Sequence, residues 1–207
     1  MNQPIRFVLC AATALVVQAA AAQSTAPDAL VRSVTDDVVG IIKQDKDIQA
    51  GNRQKTIALV EQKVLPHFDF TRMTALAMGP NWRKATPEQQ KLLVEQFRTL
   101  LVRTYSTALS AYRNQVIDVK PPRAQPNDAE VVVRSEVKQS GAEPVTIDYS
   151  MAKTPDGWKV YDLAVNGASL VTTYRETFAT EVRNGGIDGL IKSLSAKNQQ
   201  LAAKPAA

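Results

Sequence analysis

Ser169, Asp162 and His67, the chain's one histidine, are the residue types of a hydrolytic triad. In such a triad an imidazole takes the hydroxyl proton and a carboxylate orients the imidazole. The run Gly167-Ala-Ser169-Leu-Val171 resembles a nucleophile elbow. A G-x-S-x-G elbow requires a second glycine, however, and position 171 holds valine. His67 follows Pro66 and reads as a polar or capping residue instead. Metal chemistry has less material: one histidine and scattered carboxylates such as Asp36, Asp37, Asp45 and Asp47, which read as a solvated helix face. There is no glycine-rich phosphate loop. The sequence therefore predicts no catalytic residue, no metal and no cofactor, and its function must lie in surfaces and cavities that larger elements build.

Those elements begin after a processing signal. Arg6 opens a short positive start, an apolar run follows from Phe7 to Val17, and Ala20-Ala21-Ala22 precedes Gln23, predicting cleavage after Ala22 and export. Cys10 does not read as a lipid attachment site, because Leu9 stands where a small residue is needed. Loss of residues 1–22 removes Arg6 and Cys10, so the net charge falls from +5 to +4 and no cysteine remains. An exported chain without a disulfide must be held by its core. No later segment approaches the roughly 18 apolar residues that span a bilayer, so the mature chain is expected to be soluble. The basic excess is dispersed, with Arg83-Lys84 its longest run and no aromatic interleaving, which argues against nucleic-acid binding.

Between Pro27 and about Lys46, Leu30, Val34, Val38, Ile41 and Ile42 recur at helical spacing. Asn52 starts a second helix carrying Ile57, Val60 and Val64 up to Pro66, and a shorter one bears Phe70, Met73 and Ala77. Thr86-Pro87-Glu88-Gln89 has the form of a capping box with proline at the first helical position. A long helix is expected from there to about Arg113, with Leu93, Phe97, Leu100, Leu101, Tyr105, Leu109 and Tyr112 on one stripe. The period then switches to alternation. Strands are expected near Val116 to Lys120, through Val131 to Lys138, through Val145 to Met151, and from Trp158 to Val165, most simply as an antiparallel meander. Gly167 makes a tight connection into a helix bearing Leu170, Val171, Tyr174, Phe178 and Val182, closed by Gly185-Gly186. A last short helix carries Ile187 to Leu194. The reading is an α+β fold: a four-stranded antiparallel sheet covered on one face by several helices, with an apolar pocket between. The expected organisation is a cleaved signal over 1–22, one domain over 23–195 and a disordered tail over 196–207.

Over nearly the whole mature length the order of certain residues resembles the MlaC family, also called the toluene-tolerance family. Phe68 and Phe70 precede a helix; Gly79, Trp82, Arg83, Thr86 and Gln89 follow; Tyr105 sits in the long helix. Trp158, Tyr161, Asp162, Gly167, Ser169, Leu170, Tyr174, Arg175 and Phe178 form a later block, and Asp188-Gly189-Leu190-Ile191 closes it. The resemblance implies a periplasmic carrier of diacyl phospholipid. Such a carrier shuttles lipid between an outer-membrane lipoprotein complex and an inner-membrane ABC transporter complex, keeping the outer membrane asymmetric, and is expected to be monomeric.

A carrier needs apolar walls rather than reactive groups, since about 30 buried methylenes at about 0.8 kcal/mol each make escape into water cost some 20 kcal/mol or more. The expected walls are Phe70, Met73, Phe97, Leu101 and Tyr105 from the helices, Val133, Ile147, Tyr149 and Met151 from the sheet, and Leu170, Tyr174 and Phe178 from the closing helix. Periodicity does not separate a filled core from a lipid-filled one, and each of these positions also fits ordinary core. Arg175 either meets a headgroup phosphate or folds against Asp162. Two alternatives stand beside the phospholipid carrier: a periplasmic interaction module that docks a partner without lipid, and a carrier of another amphiphile such as a hopanoid.

Overall fold

The computed structural model describes residues 25–122, 125 and 127–203. The expected signal segment, 1–22, lies outside the described residues. Helix α1 (Pro27–Gln44) starts on a proline with Asp28 in its first turn and buries Val31, Val38 and Ile42. Asp45 then caps α2 (Lys46–Gln49), accepting from the Asp47 and Ile48 amides at 2.9 and 3.2 Å. Asn52 caps α3 (Arg53–Leu59) through the Lys55 amide. A π-helical turn (Val60–Val64) and a 3-10 turn (Leu65–His67) follow, Pro66 lying in the latter. Asp69 caps α4 (Phe70–Met78), and a 3-10 stretch (Gly79–Lys84) leads on.

The capping box is present: Gln89 N–H donates to Thr86 Oγ1 at 3.2 Å and Thr86 N–H to Gln89 Oε1 at 3.0 Å. It opens α5 (Pro87–Tyr105). This helix is shorter than expected. It stops at buried Ser106, and the chain continues as a separate turn, α6 (Thr107–Ser110). The reason is packing. Leu93, Phe97, Leu100 and Leu101 enter one apolar cluster with α4 and the closing helix, whereas Leu109 and Tyr112 pack in another, against α1, α2 and α3. One straight helix does not serve both.

Five strands form one antiparallel sheet in chain order: β1 (Val116–Lys120), β2 (Glu130–Lys138), β3 (Val145–Thr154), β4 (Gly157–Val165) and the short β5 (Ala168–Ser169). The fifth strand is an addition to the expected meander. Asn166 and Gly167, both at positive φ (48° and 82°), make the two-residue turn that folds it back on β4. Val131, Val133 and Ser135 point into the molecule, while Glu130, Val132 and Arg134 face out. Between Ser150 and Met151 the β3–β4 register slips by one, leaving Tyr161 as the extra residue.

Helix α7 (Leu170–Ala203) is interrupted at Gly186, whose φ of 69° and ψ of −173° are not helical. The tail expected to be disordered from Ala196 is instead helical to Ala203. Asn198 is buried, and its side-chain amide donates to the Gln96 backbone and side-chain oxygens, both at 2.9 Å. Arg103 donates to the Asn198 carbonyl and Arg53 to that of Leu201, so guanidinium groups occupy carbonyls of the last turns. Helices α4, α5 and α7 pack together and meet the sheet chiefly at β4, while α1 lies over β1 and β2.

Candidate functional site

The apolar faces of the helices and of the sheet form two separate clusters. On the helical side Phe97, Tyr174 and Phe178 make a three-ring group: Phe97 meets Tyr174 at 4.9 Å and Phe178 at 5.0 Å, both edge to face, and Tyr174 lies 5.8 Å from Phe178. Phe70, Met73, Leu101 and Leu170 belong to the same cluster. On the sheet side Val133 and Met151 are fully buried, with Tyr149 packed beside them. Period-2 alternation supplies that wall, because residues two apart on a strand share a face.

Each wall softens toward one rim. Tyr105 is 42% exposed at the end of α5. Burial, together with the neighbouring Tyr105 phenol, pushes the Tyr174 hydroxyl up to about 12. On the sheet, burial falls from Val133 and Met151 through half-buried Ile147 to Val145 and Val165, which are 37% and 38% exposed. Of the sequence-expected wall residues, seven thus join the helical cluster, three the sheet cluster, and Ile147 and Tyr105 sit toward the open margin.

The opposite end of the sheet is tied to the helices. Phe68 bridges to Val160 as a parallel pair, Asp69 N–H donates to the Val160 carbonyl at 2.8 Å, and Lys159 Nζ to the Pro66 carbonyl at 2.6 Å. Arg72 pairs with Glu130 at 2.6 Å and lies 3.7 Å over the Tyr161 ring, while Tyr161 donates to the other Glu130 oxygen. Arg72, and then Tyr161, hold the Glu130 carboxyl below its usual range. The family-like residues Phe68 and Tyr161 therefore act in a tether.

Phe68 and Leu163 touch both clusters, and Trp158 and Val160 add to the sheet wall; none of the four was among the expected wall residues. The available signal was the apolar phase of β4. Trp158 and Val160 alternate, then the phase slips by one to Leu163 and Val165, as a bulge requires.

The chemical constellations do not assemble. Ser169 Oγ donates directly to Asp162 at 2.6 Å and accepts from the Thr172 amide at 3.0 Å, so it caps α7. His67 sits on the tether side, where burial and then Lys159 push its pKa down. Asp45 and Asp47 pair with Lys55 at 3.1 and 2.7 Å. Among the described residues no group of three or more His, Cys, Asp or Glu is placed to hold a metal, and no helix is long and apolar enough to cross a membrane. Arg175 does not fold against Asp162, whose oxygens are taken by Ser169 and the Val171 amide. Its Nε donates to the Leu76 carbonyl at 3.1 Å, at a cleft of about 360 Å³ also lined by Gly79, Trp82 and Arg83.

This architecture has close relatives. A phospholipid-binding protein from Ralstonia solanacearum, solved in complex with a phospholipid, superposes with a TM-score of 0.80 at 47% identity, covering 86% of this chain and 99% of that one. Toluene tolerance protein ttg2D of Pseudomonas putida is 29% identical over 183 residues, 88% of this chain and 83% of the relative. The intermembrane phospholipid transport system binding protein MlaC of Haemophilus influenzae is 27% identical over 206 residues, covering 97% and 92% respectively. The model of the MlaC protein family matches residues 32–196. That match takes in both walls, the tether and the cap, and the chain belongs to the MlaC family, a family of lipid-binding carriers and not of enzymes.

Proposed function

We propose that this chain is a periplasmic phospholipid carrier, holding the two acyl tails of one diacyl lipid between its helical and sheet walls. It would shuttle that lipid between an outer-membrane lipoprotein complex and an inner-membrane ABC transporter complex. The observation that carries this reading is that the apolar faces of the helices and of the sheet form separate clusters meeting through Phe68 and Leu163, beside a third cluster under α1, α2 and α3. A small domain usually gathers its apolar side chains into one contiguous core with smaller satellites. The phospholipid bound by the 47% identical Ralstonia relative supports the same reading.

Physical chemistry supplies the mechanism. Each methylene sheltered between the walls contributes about 0.8 kcal/mol, enough over two tails to hold a lipid against water. Residues such as Phe97, Met151 and Phe178 need only exclude water and adapt in shape. The helices are tied to the sheet through Asp69, Lys159 and Arg72 at one end and through β5 and the Asp162–Ser169 cap at the start of α7, so the walls part between these ties to admit lipid. Partner complexes gate that separation, and the carrier itself consumes no energy.

Native mass spectrometry of the mature protein, purified from the periplasm without detergent and followed by lipid extraction, tests this. A stoichiometric diacyl phospholipid adduct is expected. A different amphiphile would make it a carrier of that class. A chain that stays apo after incubation with phospholipid vesicles and the membrane complexes would make it an interaction module.

A further inference from the structure

The inward rows of β1, β2 and β3 run from Ile117–Val137–Val145 at the rim, through Val119–Ser135–Ile147 and Val133–Tyr149, to Val131–Met151 inside. Every side chain in these rows is aliphatic or methionine except two. Ser135 is fully buried, and its Oγ donates to the Tyr149 hydroxyl at 3.4 Å. To make this bond Tyr149 reaches past its cross-strand partner Val133 toward the next row out. An apolar wall has no need of two hydroxyls, and their arrangement is incomplete. The pair carries two O–H protons, one bond uses one of them, and among the described residues the other meets no acceptor. At 3.4 Å the bond is also well beyond the optimum of about 2.7–2.8 Å for O–H···O. Burial pushes the Tyr149 phenol up, so the proton stays in place.

A missing acceptor at this depth has a definite chemistry. The Ser135 row lies two residues, or about 7 Å, inside the Val145 rim. A diacyl lipid whose phosphate stays at the rim sets its glycerol ester carbonyls a few bonds further in. These carbonyls accept hydrogen bonds and donate none, whereas an ether-linked tail offers a weaker acceptor and no carbonyl. Resting on the carrier reading above, we infer that buried Ser135 and half-buried Tyr149 form a hydroxyl donor for an ester carbonyl of the bound lipid, making the carrier selective for ester-linked over ether-linked diacyl lipids.

The experiment loads the full mature protein from vesicles of equimolar diester phosphatidylglycerol and its chain-matched diether, and reads the ratio of the two adducts by native mass spectrometry. Wild type is expected to favour the diester about fivefold, the equivalent of one ordinary hydrogen bond. Tyr149→Phe, which keeps the ring, is expected to bring the ratio to about one. Ser135→Ala reduces the ratio in the same direction and serves if the phenylalanine variant misfolds. Equal loading by wild type, or a preference that survives both substitutions, overturns the inference and leaves the carrier standing. Wild type that loads neither lipid overturns the carrier reading, and the inference with it.

Discussion

Asp162 on β4 holds the start of α7 through Ser169: the hydroxyl donates to the carboxylate at 2.6 Å, and the second carboxylate oxygen accepts from the Val171 amide at 3.1 Å. Residues that a triad would need thus serve as a helix cap. Asp162→Ala should cost about 1–3 kcal/mol, because a buried N–H and a hydroxyl lose their acceptor. Ser169→Ala should cost about 1 kcal/mol. Urea unfolding checks both, and hydrolysis of a short-chain ester should stay at the solvent rate in wild type and variants alike.

The two faces of the sheet should answer differently to the same charge. Tyr149→Asp puts a carboxylate on the inward wall and should abolish retention of co-purified lipid. Val132→Asp, at a position 52% exposed on the outward face, should leave retention unchanged. Lipid extracted per mole of protein is the readout, with circular dichroism confirming that both variants fold. A folded Tyr149→Asp protein with normal lipid would put Tyr149 outside the pocket.

Alkaline stability should carry the signature of Tyr174. Its hydroxyl is raised from 10.0 to about 12, chiefly by burial and then by Tyr105. A phenol raised in the folded state favours folding fully below pH 10, and that contribution is lost as pH rises from the unfolded value through about 12. Tyr174→Phe removes this group, so its loss of stability between those limits should be shallower than that of wild type. Unfolding midpoints in urea across the range measure the slope.

Neighbouring glycines in α7 should part company. Neither Gly185 nor Gly186 has a heavy atom within 4 Å of where a Cβ would stand, so the difference is one of backbone alone. Gly186→Ala forces an L side chain onto φ 69°, ψ −173° and should destabilise by about 1–3 kcal/mol. Gly185→Ala should be neutral or stabilising by up to about 1 kcal/mol. Thermal unfolding of the two variants decides.

Acid should dissolve the outward face's pairing. Arg134 grips Asp148 through two bonds of 2.6 and 2.7 Å and holds its carboxyl below the ordinary range. A lowered carboxyl stabilises above its unfolded value and loses that contribution as pH falls through the folded one. Asp148→Asn should therefore be less stable than wild type at pH 7, and the two should converge as pH falls below the unfolded carboxyl value of about 4.

Much of this structure was legible where a local rule met a local pattern. Thr86-Pro87-Glu88-Gln89 reads as a capping box because all its partners lie within four residues, and the alternation of Val131 and Val133 reads as an inward face for the same reason. What stayed hidden depends on distant partners. The end of α5 at Ser106 follows from Leu109 and Tyr112 being claimed by α1 and α3. The helix beyond Ala196 looks polar and short of apolar anchors, yet Arg53 and Arg103 meet its carbonyls. Phe68 has neighbours in both clusters, and no periodicity within its own segment reports that. The inward assignment of Tyr149 was legible from alternation, but its hydroxyl's reach to Ser135 needed the β2–β3 register.

On the outward face, Lys120 and Lys138 each bind both Asp118 and Glu136, at 2.6 to 3.3 Å, next to the Arg134 and Asp148 pair. Such a lattice of alternating sign holds water firmly and gives oil nothing to adhere to. A vehicle for grease that was itself greasy outside would adsorb to every bilayer it visited and never leave. The mesh sets a hydrated ionic surface around exposed Val116 and Val132, so a carrier of the kind proposed would offer a bilayer little to hold on this face.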